Sequence, residues 1–292
     1  MGRFLTTGGK IMKRKLLPVI VLGLVLLSAA AALADGDIYV GGPWGTRITS
    51  LPYTISAPGS YYLGRNLSST STGITITAGV NNVTLDLMGF SITGPGSNSG
   101  ILMSGSKNVE VRNGTVTGWN NGIFESGSGL GHRIINVRAV GNNTGIWLGN
   151  TGHLVKGCEV SATGGNPAIY IYWIGTITGC TVRFATGEGI LFWGGIASGN
   201  VITGGGAGYG IGANMPGSLV TGNKVSGCGT GISGGYGVSV IDNTVQTASG
   251  TYGIALSDHI SNVLDQNTVL GSGTPYSPTL AAMVNTKKRS NY

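Results

Sequence analysis

A two-residue signature, glycine then isoleucine, recurs along this chain at Gly73-Ile74, Gly100-Ile101, Gly122-Ile123, Gly145-Ile146, Gly189-Ile190, Gly210-Ile211, Gly231-Ile232 and Gly253-Ile254. Ala168-Ile169 fills the one gap. The successive spacings are 27, 22, 23, 23, 21, 21, 21 and 22 residues, a period near 22. A second signature, Asn or Cys closely followed by Val, keeps step with the first. It runs through Asn113/Val116, Asn136/Val137, Cys158/Val160, Cys180/Val182, Asn200/Val201, Asn223/Val225, Asn243/Val245 and Asn267/Val269. Short alternations of apolar and polar residues bounded by Gly and Asn are strand signals, and these runs are too short for helices.

A unit of two or three short strands cannot bury its apolar side alone. Winding the chain into a coil and stacking each coil on the next solves this, so the pattern predicts a β-solenoid of about nine coils over residues 73–270. Neighbouring coils would pair through parallel ladders about 4.8 Å apart, with glycine at the tight corners. A β-sandwich or barrel predicts no repeated signature of this length. Residues 35–72 lack the repeat, carry Pro52 and Pro58, and read as an N-terminal cap over the first strand edge. Residues 271–292 read as a C-terminal cap ending in a disordered basic tail, KKRSNY.

The run NVTLDLMGFSITG (82–94), followed by GILMSGSKNVEVRNGTVTGWNNGI (100–123) and the later coils, resembles the right-handed parallel β-helix proteins of the pectate-lyase-like superfamily. The resemblance spans about residues 73–270 and implies an all-β, right-handed parallel β-helix. It is specific for architecture and weak for activity, since such proteins include lyases, hydrolases, epimerases, phage tailspikes, adhesins and copper-site accessory proteins. The paired aspartates of polygalacturonase-like members and the aspartate ligands of pectate lyases have no counterpart here.

Composition narrows the picture. Lys13-Arg14-Lys15, the apolar LLPVIVLGLVLLSAAA and Ala32-Leu33-Ala34 read as a secretory signal peptide over residues 1–34, with Met12 an alternative start that would make residues 1–11 a mis-called beginning. That predicts a protein of bacterial type that is secreted, periplasmic or at the cell surface, with no membrane association after cleavage. An uncleaved anchor is the rival. The segment holds five of the 17 basic residues and none of the 10 acidic ones, so the remainder is close to neutral and offers no basic stripe for nucleic acid. The 55 glycines come with abundant Val, Ile and Thr, eleven Tyr and five Trp, which speaks for a folded β protein rather than a flexible chain.

Stacking turns equal positions of successive coils into columns. The Asn and Cys positions form one, in which amides hydrogen-bond from coil to coil. Cys158 and Cys180 fall in it at a separation a disulfide could span, but stacked residues of parallel strands suit one poorly, so buried thiols are expected. Cys228 has no partner in the sequence. Asp86 aligns beneath Arg112 and is expected to form an outward ion pair rather than a catalytic acid.

A second column carries the candidate site. Two residues after each Gly (or Ala168) stand Phe124, Trp147, Tyr170 and Leu191, and two further on stand Ser126, Gly149, Tyr172 and Trp193. Phe124, Trp147, Tyr170, Tyr172 and Trp193 would form an aromatic strip suited to stacking on the sugar faces of a polysaccharide. Mutual packing of the rings is the alternative. For chemistry, Glu125 and Glu188 are the candidate acid and base, with Arg133 or Lys156 contacting an acidic sugar, as in a lyase or a glycoside hydrolase. His132, His153, Glu159 and Arg138 lie nearby in sequence. No cofactor or metal is expected: Ca²⁺ would need a carboxylate cluster, and Asp258-His259 reads as turn residues. The expectation is a monomeric β-helix that binds, and in an enzymatic version cleaves or modifies, an extracellular polysaccharide. The alternative is a non-enzymatic structural or adhesive rod.

Overall fold

The computed structural model describes residues 45–292 apart from 126, 206–207, 248–251, 258–260, 272–273, 278–286 and 289–292. The leader over 1–34, residues 35–44 of the cap, Ser126, Asp258, His259 and much of the C-terminal segment lie outside the described residues. Those described form an all-β parallel solenoid of about ten turns, wound in the right-handed sense that parallel strand connections adopt. Three stacks of strands run its length.

The first stack holds the Gly-Ile strands. Its register runs from Tyr53 through Ile74, Ile101, Ile123, Ile146, Ile169, Ile190, Ile211, Ile232 and Ile254 to Tyr276, each paired in parallel with the next. The second stack includes Val83–Asp86, the starts of Glu110–Thr117 and Arg133–Asn142, and His153–Lys156. The third includes Glu159–Ala162, Thr181–Phe184, Val201–Gly204 and Lys224–Ser226. Winding begins before the repeat is visible in the sequence. Thr46–Ile48, Tyr53–Ile55 and Gly59–Leu63 already pair in parallel, because Ile48, Ile55 and Leu63 supply the same inward apolar positions.

The two signatures are joined by packing. A Cβ on Gly210 would meet Val225 Cγ1 at 2.2 Å, one on Gly145 would meet Val160 Cγ1 at 2.2 Å, and one on Gly231 would meet Val245 Cγ1 at 2.1 Å. The valine of the second signature thus seats on the glycine that opens its own coil, and the glycine is there for close approach rather than for backbone freedom. The isoleucine beside it is fully buried in every coil from Ile74 to Ile254, a contribution of about 1.5–3 kcal/mol each.

Left-handed backbone is confined to other positions. One corner column reads Asn113, Asn136, Gly157, Gly179, Gly199, Gly222, Asp242 and Gln266, with φ between 53° and 63°. This corrects the expected asparagine column by one residue in two coils. Asn113 and Asn136 are corner residues, and Gly114 and Val137 hold the inward position beside them. The inward column begins with Cys158 and Cys180 and continues through Asn200, Asn223, Asn243 and Asn267.

From Asn200 onward each amide is a full ladder rung. Asn223 Nδ2 donates to Asn243 Oδ1 at 2.9 Å and to the Ala197 carbonyl at 2.9 Å. Its Oδ1 accepts from Asn200 Nδ2 at 2.9 Å and from the Asn200 backbone N–H at 3.0 Å. All three cysteines are free and buried. Cys180 joins the ladder by its backbone N–H, which donates to Asn200 Oδ1 at 2.9 Å.

Charges occupy the outside of the second and third stacks. Asp86 sits beside Arg112, as the register of the repeat predicts, with Arg112 Nε donating to Asp86 Oδ2 at 2.8 Å. Asp86 is covered rather than outward: it is 7% exposed and also accepts from the Met88 N–H and Asn113 Nδ2. The Asp86 contact holds the Arg112 guanidinium above its ordinary pKa. Glu110 continues the chain to Arg112 at 3.0 Å and Arg133 at 3.1 Å, and Glu159 bridges Arg138 at 2.9 Å and Arg183 at 3.3 Å.

Candidate functional site: an aromatic strip with a bulge at its edge

The outward positions of the first stack put Phe124 beside Trp147, Trp147 beside Tyr170, and Tyr170 beside Leu191 in ladder register. The rings touch in sequence. Phe124 and Trp147 meet edge to face with centroids 6.0 Å apart, Trp147 and Tyr170 at 4.7 Å, and Tyr170 and Tyr172 at 6.0 Å. The ring contacts are therefore continuous from Phe124 to Tyr172. It covers four coils, about 14 Å along the axis at the ladder spacing.

At its far edge the alternation breaks. Ile171 pairs with Phe192 but Ile174 pairs with Gly194, so two residues, Tyr172 and Trp173, oppose the single Trp193. Such a bulge re-aims side chains. Both Tyr172 and Trp173 turn outward, at 40% and 38% exposure, next to Ile174 at 54%. With Trp193 they make a knot of three rings, Tyr172–Trp193 at 5.1 Å, Trp173–Trp193 at 5.8 Å and Tyr172–Trp173 at 5.5 Å. Trp173 is the member that alternation cannot find, since strict period-2 reading turns it inward.

Mutual packing, the rival to an open binding strip, accounts for part of the geometry. Tyr170 is nearly covered, and its burial raises the phenol pKa while the Trp193 indole works against that rise. Phe124, Trp147 and Trp193 are half-exposed, so the strip presents ring edges and faces along its middle and its most open rings at the bulge.

The candidate catalytic residues do not gather at the strip. Glu125 has the same parity as Ile123 and points into the coil, fully buried. Its Oε1 accepts the backbone N–H groups of Gly127, Ser128 and Gly129 at 2.9, 3.1 and 2.8 Å, which folds the following turn over it. In this position Glu125, expected as an acid or base, holds the turn from inside the coil. Arg133 stands on the second stack and is tied to Glu110, and Lys156 lies at the end of a second-stack strand, so neither shares the strip's face. Glu188 sits in the turn before Gly189, half-buried, and burial raises its pKa. It is three coils from Glu125, about 14 Å along the axis, beyond the roughly 5–10 Å that separates paired glycosidase carboxylates.

His132 and His153 stack on each other beneath the same turn, with centroids 5.1 Å apart and planes 12° apart. His132 Nδ1 accepts from the Val109 N–H at 3.2 Å, and His153 Nδ1 accepts from the His132 N–H at 3.1 Å. His153 Nε2 lies 2.6 Å from the Gly149 carbonyl, so its proton is on Nε2. Burial, with His153 adding to it, pushes the His132 pKa down to about 3, and burial lowers that of His153 as well. These are rungs of a side-chain ladder in which both Nδ1 lone pairs are taken up by backbone donors.

No family model and no curated protein matches the chain. Among solved structures, the A-module of the Azotobacter vinelandii mannuronan C-5 epimerase AlgE6 is similar, with a TM-score of 0.48 at 10% identity over 92% of this chain and 94% of that one. The A-module of AlgE4 from the same organism gives 0.45 at 12% identity over 86% and 91%. An alginate lyase from Paenibacillus sp. str. FPU-7 gives 0.42 at 13% identity over 84% and 98%.

Proposed function

We propose that this protein is an exported β-helix that binds an extended polysaccharide along the outward face of its first stack. The observation that carries the reading is the unbroken run of ring contacts from Phe124 to Trp193, ending in a bulge that turns Tyr172 and Trp173 to solvent. Aromatic rings gain free energy by covering the apolar C–H faces of sugars, and a strip along the axis matches a polymer rather than a single sugar. Monomeric soluble proteins seldom leave such a patch open without a use for it. Export is supported by the leader-like composition of residues 1–34. Cleavage or modification is not part of the proposal, since Glu125 is enclosed and faces away from the strip.

The test is a glycan array with the mature protein and with Trp147→Ala and Trp173→Ala variants whose far-UV circular dichroism matches the parent. Binding to at least one polysaccharide, lost in both variants, is the expected result. Binding to no glycan, or binding indifferent to both substitutions, sinks the reading.

A further inference from the structure

The charge distribution around the strip deepens that reading by naming a substrate class, and it rests on the strip being the binding face. Among the described strands of the first stack, from Tyr53–Ile55 to Thr274–Ser277, the only Asp, Glu, Lys or Arg is Glu125, and Glu125 is buried. The outward positions after Leu191 are Gly212, Ser233, Ala255 and Ser277, small and uncharged. The ion pairs of Asp86, Glu110 and Glu159 with Arg112, Arg133, Arg138 and Arg183 lie on the second and third stacks. The described turns flanking the ring-bearing coils add one acid, Glu188, and the coil before them adds one base, Lys107.

An anionic polymer laid on the ring-bearing face would lose hydration with no counter-charge among the ring-bearing strands, because Arg112, Arg133, Arg138 and Arg183 are around the corner in ion pairs, Lys156 ends a second-stack strand, and Lys107 lies in the turn one coil earlier. It would also face ring surfaces whose quadrupole is negative, which repels carboxylates as it attracts C–H groups. A neutral chain meets neither cost. We infer that the ligand of this face is a neutral polysaccharide, an extended chain of pyranoses with flat apolar faces, and not a polyuronate or a sulfated glycan. The chain lies parallel to the solenoid axis, over Phe124, Trp147 and the Tyr172–Trp173–Trp193 knot. The small residues beyond Leu191 leave the floor open at that end for a chain to run on.

Affinity gel electrophoresis of the mature protein separates the outcomes. The neutral polymers are hydroxyethylcellulose, glucomannan and arabinoxylan; the acidic ones are alginate and polygalacturonate, each run at low and high NaCl. The expected result is retardation by at least one neutral polymer, unchanged by salt, and weakened on the order of tenfold or more in Trp147→Ala or Trp173→Ala, as for removal of an aromatic anchor. The acidic polymers are expected to give none. Retardation by an acidic polymer that fades as salt rises overturns the neutral-ligand inference and leaves polysaccharide binding standing. Retardation by no polymer, together with an empty glycan array, overturns both.

Discussion

Replacing Glu125 distinguishes a structural carboxylate from a catalytic one. Its Oε1 accepts three backbone N–H groups at 2.8–3.1 Å, from Gly127, Ser128 and Gly129. Hydrogen bonds to a charged acceptor contribute about 1.5–3 kcal/mol each when enclosed. The Gly127 and Ser128 donors are in an exposed turn and can turn to water, whereas the Gly129 donor is buried. The loss in Glu125→Ala is therefore dominated by one orphaned donor and the packing of the removed stem, about 3 kcal/mol in all. For a domain of this size that corresponds to a fall in Tm of roughly 6–12 °C. Glu125→Gln keeps an oxygen for the same donors and is expected to lose only about 1 kcal/mol. The assay is urea unfolding followed by far-UV circular dichroism, in parallel with glycan binding, which neither variant should change. A Glu125→Ala protein as stable as the parent would refute the argument, and so would a Glu125→Gln protein that folds normally yet loses a glycan-modifying activity.

Asn223→Ala removes an amide bonded to Asn200, Asn243 and the Ala197 carbonyl, and it is expected to cost about 3 kcal/mol in urea unfolding. Asn120→Ala, in the exposed amide pair with Asn143, is expected to stay within about 0.5 kcal/mol; equal effects of the two would mean that the ladder carries no weight. The histidine ladder makes stability fall with acid. His132 is held neutral down to about pH 3 while an unfolded histidine takes up its proton near 6.5, so the stability contributed by neutral His132 is complete above 6.5 and is lost as pH falls towards 3. The slope is at most about 1.4 kcal/mol per pH unit for this residue, with His153 adding in the same direction. Urea midpoints between pH 7 and 4 check it, and a flat profile would contradict it. Gly210→Ala should fail to fold at ordinary growth temperature, since its Cβ would lie 2.2 Å from Val225 Cγ1 and 2.6 Å from the Gly231 carbonyl oxygen; soluble expression with native circular dichroism would show that the coil can yield there.

Coil register was legible because stacking makes the same physical demand at the same position in every turn. The Gly-Ile positions are the ones the structure pairs, and the alignment of Asp86 with Arg112 follows from them. The column of ring positions from Phe124 to Trp193 was legible for the same reason. Asparagine was harder to read, since it serves two purposes. It tolerates left-handed backbone at Asn113 and Asn136, where other coils use glycine, and it bonds rung to rung at Asn200 and Asn223. Both uses leave an asparagine just ahead of a valine. The inward direction of Glu125 was present in the alternation Ile123-Phe124-Glu125, but a carboxylate in a core position is legible only once the turn that caps it is known. Trp173 was illegible, because a single-residue bulge leaves no mark in a repeat whose spacing already varies between 21 and 27.

The ion-pair chain and the amide ladder occupy different lengths of the same rod. Ion pairs run from covered Asp86 to exposed Arg183 along the second and third stacks, while amides run from Asn200 to Asn267 on the inside. Dissolved salt screens exposed charge pairs and leaves buried amides nearly untouched. Concentrated salt is therefore expected to weaken the exposed pairs of the earlier coils, by at most about 1 kcal/mol each, while leaving the amide ladder of the later ones nearly unchanged. Three of the four ring-bearing coils lie within the charge-paired length, and the coil of Trp193 opens the amide-laddered one.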